Sequence, residues 1–305
     1  MTRRQRERLA PALEAFYRRA LRFDRIKEDP VEFPRRYTDP REIEAVGWLA
    51  TAFAYGRVAL FKATAEKILA LAGGSFYRYL TAFDPARERP RFEGIYYRLN
   101  AAEDLFCLIY FMSRVVQRHG SVGALFISLY REEEEDIGPT LSRFIGRVRE
   151  IDPTPVYGKR KPPDGLLQMF SSPAQGSACK RMNLYLRWMV RPDDGVDFGL
   201  WKEIPPSKLI IPLDTHIARI GRYLGLTRRK SPDWKMAEEI TESLKMFDPA
   251  DPLKYDFALC HLGISGDCPV ERSREKCRAC PLLPACKRGR ALTRNGESQS
   301  PMKRS

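Results

Sequence analysis

Four of the seven cysteines lie within nineteen residues, as Cys268, Cys277, Cys280 and Cys286, spaced C-x8-C-x2-C-x5-C. Four soft thiolates at this spacing can hold a tetrahedral metal ion or the corners of an iron–sulfur cube. Structural zinc sites of four cysteines usually use two C-x2-C pairs, whereas this chain has one such pair, followed by Pro281. We therefore predict a metal-closed loop that holds a 4Fe-4S cluster, with zinc as the alternative.

The chain is strongly basic, with 53 lysines and arginines against 39 acidic residues, a net charge of +14 and an isoelectric point near 9.6. Such a surplus attracts polyanions, because neutralising phosphates releases condensed counterions. It also occurs in basic proteins that have no such partner, so charge alone does not decide. Arg272, Arg274, Lys276 and Arg278 lie among the cysteines. A metal-closed loop presents such charges at low entropic cost, so we predict that they contact double-stranded DNA.

No stretch of the sequence approaches the roughly 18 apolar residues that a membrane-spanning helix needs. The N-terminal segment is basic, but charged residues such as Glu14, Arg18 and Arg22 interrupt the residues after it, so the apolar core of a signal peptide is missing. We expect a monomer in the cytoplasm, associated with the nucleoid and without membrane contact. In that reducing compartment cysteines are more often metal ligands than disulfide partners.

Apolar residues recur at helical spacing through most of the chain, and no run alternates like a β-strand. The pattern predicts a helix after Asp39-Pro40 and others over residues 62–71, 101–117, 122–130 and 141–151. A chain of 305 residues is long enough for two modest cores. We therefore predict an all-α fold of two helical domains, and a disordered basic tail over residues 289–305.

Two short segments carry signals for chemistry. In residues 173–183, Gly176 permits a tight turn, and free N–H groups at the start of the next helix can hold a phosphate oxygen. A glycine before a helix is usually only a turn, however.

In residues 210–220, an apolar run leads into Asp214, which the pattern predicts as a helix N-cap. A carboxylate at that position stays ionised and can stabilise positive charge that develops on a sugar.

These segments resemble the helix-hairpin-helix DNA glycosylases (HhH-GPD superfamily) of the endonuclease III type. The resemblance covers roughly residues 40 to 288, and its motifs are specific only in the last 115 or so. Residues 54–57 and 62–65 resemble early helices of that fold. A closer resemblance is to a bacterial family catalogued only as a domain of unknown function, which implies no activity. The residues that carry the first resemblance are Gly176, Lys180, Asn183 and Leu186, then 213–216 (Leu-Asp-Thr-His), then 260–263 (Cys-His-Leu-Gly), followed by the four cysteines.

The glycosylase resemblance implies base-excision repair of a damaged or mismatched base flipped out of duplex DNA. Lys180 matches the lysine that attacks the sugar C1′ and forms a Schiff base, which would add AP lyase activity. Asp214 matches the essential aspartate. The hairpin residues Gly176, Ser177 and Ala178, with Arg181, would hold phosphate, and Tyr55 or Arg57 would fill the gap left by the base. The implied domains are a helical barrel, residues 40–200, and a cluster domain, residues 1–39 with 201–288.

Three departures from the resemblance stand out. Ala178 replaces the usual second glycine of the hairpin, residues 191–206 are an insertion, and the first cysteine gap is x8 where x6 is common. The insertion is expected to be a surface loop or a wall of the base pocket, and Trp188 and Trp201 are candidates to stack on the base. Two other functions remain open: a non-catalytic iron–sulfur protein that binds DNA or senses lesions, and a protein that binds structured RNA.

Overall fold

The structure, a computed structural model, describes residues 1–20, 23–56 and 58–294. Within these ranges the chain is helical and contains no β-strand, which confirms the all-α prediction. No helix in the same ranges is long and apolar enough to cross a membrane. The α-helices are α1 (Arg3–Ala20), α2 (Pro40–Ala52), α3 (Val58–Leu71), α4 (Phe76–Thr81), α5 (Pro85–Glu88), α6 (Ala102–His119), α7 (Val122–Leu129), α8 (Gly138–Arg149), α9 (Thr154–Tyr157), α10 (Asp164–Leu167), α11 (Lys180–Val190), α12 (Thr215–Leu224), α13 (Trp234–Lys245), α14 (Asp256–Ile264), α15 (Arg274–Ala279) and α16 (Lys287–Arg294).

Helix starts follow local capping chemistry. The predicted start at Asp39-Pro40 is confirmed, because the Asp39 carboxylate accepts a hydrogen bond from the Arg41 backbone N–H and Pro40 opens α2. Ser121 caps α7 in the same way. Helices α3, α6, α7 and α8 lie where the apolar spacing predicts them, with ends that differ by a few residues.

The chain divides into two compact units, one made of Met1–Arg22 with Ile210–Ser305 and the other of Phe23–Leu209. These bounds differ from the predicted domain limits at residues 39/40 and 200/201. Two 3-10 turns, Pro30–Glu32 and Pro34–Arg36, pack on α2 and so belong to the second unit. Trp201 belongs there too, because its ring stacks on Phe126 and its indole N–H donates to the buried Glu44 carboxylate at 2.9 Å.

The insertion at residues 191–206 is exposed at 192–193 and 202–203 but is anchored in the core between them. Asp197 is completely buried, and its carboxylate pairs with Arg191 and, at 3.1 Å, with Arg187 Nε of α11. Burial raises the pKa of Asp197, while both guanidiniums oppose that rise. Breaking such a buried pair by removing one partner would leave an uncompensated charge, so the insertion is fixed to α11.

In the first unit, α12 and α14 approach each other closely at Gly263. A Cβ added to Gly263 would lie 2.5 Å from Nδ1 and 2.6 Å from Cβ of His216. Since His216 Cβ is fixed to the α12 backbone, the clash cannot be relieved by moving only the end of a side chain. Gly263 therefore sets the spacing of the two helices, one of which has Asp214 as its N-cap.

We expect Gly263→Ala to lower the free energy of unfolding by about 1–3 kcal/mol, the usual cost of overpacking. The matched control is Gly146→Ala in α8, where an added Cβ would meet no atom within 4 Å. That change should stabilise the protein by roughly 0.5–1 kcal/mol, because alanine loses less backbone entropy than glycine in a helix. Urea denaturation measures both, and equal midpoints for the two variants would contradict the expected clash.

The predicted tail from residue 289 begins too early. Helix α16 runs on to Arg294, because Leu283 and Cys286 pack on Gly289 and the helix lies against α12 and α15. The remaining predicted tail, residues 295–305, lies outside the described residues.

Candidate functional site

The predicted hairpin is a compact turn with two left-handed residues. Gly176 ends the 3-10 turn Pro173–Gln175 with φ of 76°, and Cys179 adopts φ of 46° directly before α11. A non-glycine residue in this region is strained and needs support from its surroundings. Cys179 has that support, because its buried thiol contacts the carbonyl oxygens of Ser171 and Ser177, each at 3.3 Å. Burial raises the pKa of this thiol to about 11.

The first turn of α11 is open to a ligand. No side chain caps it within the described part of the chain, so its leading N–H groups are available to an anion. The hairpin itself is held from behind, because the buried Asn183 donates from Nδ2 to the Ala178 carbonyl at 3.1 Å. Gly176 is exposed, and Ser177 and Ala178 are partly exposed. The predicted phosphate-binding residues therefore share an accessible turn.

Lys180 is the first residue of α11 and is half-buried. Its Nζ donates to the carbonyl oxygen of Ala54 at 3.0 Å. This bond joins the hairpin to the loop that follows α2, some 126 positions earlier in the chain. Lys180 is thus placed where two segments that we predict to contact DNA meet.

Arg181 and Tyr55 are brought together by the same contact between segments. The Arg181 guanidinium lies 5.2 Å from the centroid of the Tyr55 ring and also donates to the carbonyls of Ala52 and Gln168. Burial lowers the pKa of Arg181. Arg181 therefore supports the loop more than it presents a free cation to phosphate. Arg57, the other candidate to fill the gap in the duplex, lies outside the described residues.

A third segment, residues 94–100, reaches the same place, and the sequence pattern does not predict it. Tyr97 and Asn100 exchange two backbone hydrogen bonds of 2.9 Å each, across a turn in which Arg98 has φ of 54°. The turn is anchored below, because the Tyr55 hydroxyl donates to Asn100 Oδ1 at 2.6 Å. At its tip Leu99 is 86% exposed and Tyr96 is 72% exposed. Large apolar side chains held on a rigid turn in water are typical of a contact surface.

Asp214 lies in the first unit and is the N-cap of α12, as predicted. Oδ1 accepts a hydrogen bond from the Ile217 backbone N–H at 2.7 Å. Oδ2 accepts from the Cys260 thiol of α14 at 3.4 Å. The carboxylate is half-exposed, so both oxygens are oriented while one side faces solvent. Lys180 lies in the second unit.

The four clustered cysteines are all free of disulfides and line one cavity, together with Tyr223 and Leu283. Burial raises the pKa of the Cys280 thiol to about 11, and the charges of the neighbouring thiolates add to this rise. Four soft donors around one apolar cavity fit the ligand set of an iron–sulfur cluster. Across residues 1–20, 23–56 and 58–294, however, no group of three or more His, Cys, Asp or Glu side chains is arranged to hold a metal ion.

Two arginines tie the cysteine loop to α12. Arg219 donates from Nη2 to the Cys268 carbonyl at 2.7 Å, and Arg288 packs over the Tyr223 ring and donates to the Val270 carbonyl at 2.7 Å. The helix that Asp214 begins is therefore hydrogen-bonded to the loop of the first cysteine.

The four basic residues that we predicted to contact DNA from this loop are all exposed. Arg274 also donates to the Leu292 carbonyl at 3.2 Å, and Lys276 to the Gly266 carbonyl at 2.8 Å. Within the described part of the chain, Arg272 and Arg278 form no hydrogen bond or ion pair. The cysteine loop therefore presents two unpaired guanidiniums, with the exposed Glu271 and Glu275 beside them.

Neither tryptophan that we proposed for base stacking is accessible. Trp188 is completely buried, and Trp201 is buried between Phe126 and Tyr185. Both belong to the core of the second unit, so the stacking role was wrong, because sequence alone does not distinguish a buried indole from an exposed one.

A family model described as a protein of unknown function (DUF2400) matches residues 29–265. The chain belongs to the DUF2400 family. The part shared with DUF2400 includes the turn at residues 94–100, the hairpin, Lys180 and Asp214, and it ends before the first clustered cysteine. No curated protein and no solved structure matches the chain.

Proposed function

We propose that this DUF2400 protein is a base-excision DNA glycosylase with AP lyase activity through Lys180, and that its four clustered cysteines hold a 4Fe-4S cluster. The observation that carries the proposal is the convergence of three segments at Lys180. The open N-terminus of α11, the loop at residues 53–56 and the turn at residues 94–100 combine anion-binding N–H groups, an amine and exposed apolar side chains. The N–H groups can hold a backbone phosphate and the apolar side chains can occupy the space of an extruded base, while the amine is the group that Schiff-base chemistry requires.

The lysine chemistry needs only the side chain and the sugar. After the base departs, the Lys180 amine adds to C1′ of the abasic sugar in its open-chain aldehyde form, and loss of water gives a Schiff base. The amine must first lose a proton and leave the Ala54 carbonyl, to which it donates at 3.0 Å. Substrate binding would have to replace that hydrogen bond.

Asp214 supplies a fixed negative charge. Because the Ile217 N–H and the Cys260 thiol orient its two oxygens, the carboxylate loses little freedom when it stabilises a cationic sugar.

The proposed cluster would be held by Cys268, Cys277, Cys280 and Cys286, and it would stabilise the basic loop around it. The exposed arginines of that loop then contact backbone phosphates.

Borohydride trapping on duplexes with an abasic site tests the lysine role. Sodium borohydride reduces a Schiff base to a stable amine, so the wild-type protein should form a covalent complex with the duplex. We expect Lys180→Ala to lower the yield below about 1% of wild type, because no other group replaces the nucleophile. The matched control is Lys208→Ala, whose ammonium also donates to backbone carbonyls in the same unit. Equal trapping by both variants would exclude Lys180.

A second function is favoured by one observation. Lys180 Nζ donates to the Ala54 carbonyl at 3.0 Å, so the amine is occupied by the protein's own backbone. A protein that keeps this bond on DNA would bind lesions without cleaving them. It would show salt-dependent binding to duplex DNA, no trapped complex and no base excision on any lesion duplex.

The exposed turn at residues 94–100 gives a separate prediction. We expect Leu99→Ala to leave the free energy of unfolding within about 0.5 kcal/mol of wild type, because the side chain is exposed. The same change should lower the fraction of bound duplex that is unstacked at the abasic site by roughly tenfold. An apolar side chain inserted between base pairs stabilises the separated base-pair step. Fluorescence of 2-aminopurine beside an abasic site measures the unstacking.

The control for Leu99 is Leu60→Ala in α3, an exposed leucine of the same unit, with 52% exposure. It should leave the 2-aminopurine signal unchanged. If both variants behave like wild type, the turn does not enter the duplex.

A further inference from the structure

A cavity of about 370 Å³ opens in the second unit between α6, α7 and α8, and it takes no part in the function proposed above. Its size lies in the range of about 300–1,000 Å³ that is usual for small-molecule sites. The floor is apolar, because Val115, Leu125 and Ile151 are buried there.

The rim of the cavity is cationic. Arg114, Arg118, His119 and Arg147 line it, against one carboxylate, Glu150. Glu150 pairs with Arg147 at 3.1 Å, but both side chains are more than half exposed, so this pair holds Arg147 weakly. Three permanent positive charges therefore face one negative charge.

Two of these cations have unused donors. Within the described residues, Arg118 forms no hydrogen bond or ion pair, and Arg114 uses only one nitrogen, Nη2, which donates to the Phe83 carbonyl at 3.3 Å. Arg114 Nε is buried without any hydrogen-bond partner in the same part of the chain. Other buried side-chain atoms of the described residues also lack a hydrogen-bond partner, so this atom supports a ligand only together with the cavity and its cationic rim.

We propose that this cavity binds a small phosphorylated ligand of the nucleotide class. Guanidinium groups bind phosphate oxygens through paired, charge-assisted hydrogen bonds, and Arg118 has no competing partner within the described residues. The apolar floor suits a flat ring system attached to the phosphate. A concave pocket of this volume is of the size that accepts a single nucleotide.

Calorimetric titration of the full-length protein with AMP, inorganic phosphate and adenosine tests this. We expect one AMP per chain, with inorganic phosphate and adenosine each weaker by about tenfold or more, because each lacks one half of the ligand. Arg118→Ala should raise the Kd for AMP by about tenfold, the loss of one charge-assisted contact. The matched control is Arg87→Ala, an arginine whose side chain is 83% exposed in the same unit.

Three results would overturn the proposal: no heat of binding at millimolar AMP, an unchanged Kd in Arg118→Ala, or displacement of AMP by a short duplex. The last would assign the phosphate to nucleic acid. The titration needs neither base excision nor a metal, so its outcome does not depend on whether the glycosylase proposal is correct.

Discussion

Asp214→Asn should reduce single-turnover base excision by about 10²- to 10³-fold, the usual cost of removing a charge that stabilises the transition state. Asparagine is as good an N-cap as aspartate, so α12 should keep its start and the protein its stability. Affinity for a duplex with an abasic site should also persist. The measured quantity is the single-turnover rate constant for excision, at saturating enzyme, on a duplex with a lesion that the wild-type protein removes.

Asp233 offers a closely matched control for this variant. It is the N-cap of α13 with φ of −113° and ψ of −179°, against −108° and −176° for Asp214. Its carboxylate accepts from the Met236 N–H at 2.9 Å. Asp233→Asn should therefore leave excision unchanged. If it costs as much as Asp214→Asn, the loss does not come from a charge that acts specifically on the sugar.

The second large effect is expected at the cysteine loop. Cys280→Ser exchanges a soft thiol for a hard hydroxyl of similar shape, so the purified protein should lose iron, acid-labile sulfide and its brown colour. Structural metal sites contribute on the order of 10 kcal/mol to the folding of the segments they close. Residues 268–286 should therefore become sensitive to limited proteolysis in the variant.

Cys260→Ser is the control for metal content, because Cys260 donates to Asp214 and does not line the cavity of the four cysteines. It should keep full iron and sulfide. One zinc per wild-type chain without iron would establish the zinc alternative, and metal-free wild-type protein would exclude both.

The sequence predicts those features that depend on neighbours in the chain. The helix starts at Asp39 and Asp214 are examples, because an N-cap needs only a carboxylate and an N–H two or three positions later. The spacing of the four clustered cysteines is likewise a feature of residues that are neighbours in the chain. Whether the four thiols bind iron stays a prediction.

Features that depend on distant segments could not be predicted. The left-handed Cys179 is stable only because carbonyls of the folded hairpin surround its thiol. Similarly, the pattern of residues 94–100 does not reveal that Tyr97 is buried while Leu99 is exposed, since that depends on packing against Phe53 and Tyr55. The buried tryptophans were misassigned for the same reason.

The first unit is built from both ends of the chain, which has a consequence for synthesis on the ribosome. Helix α1, with the buried Leu9, Leu13 and Phe16, packs on the turn Pro252–Tyr255 and on α14, which are made only after all of Phe23–Leu209. At about 5–20 residues per second, synthesis from the end of α1 to the end of α14 takes on the order of 10–50 s. During this time the apolar residues of α1 lack the segments that cover them in the folded unit.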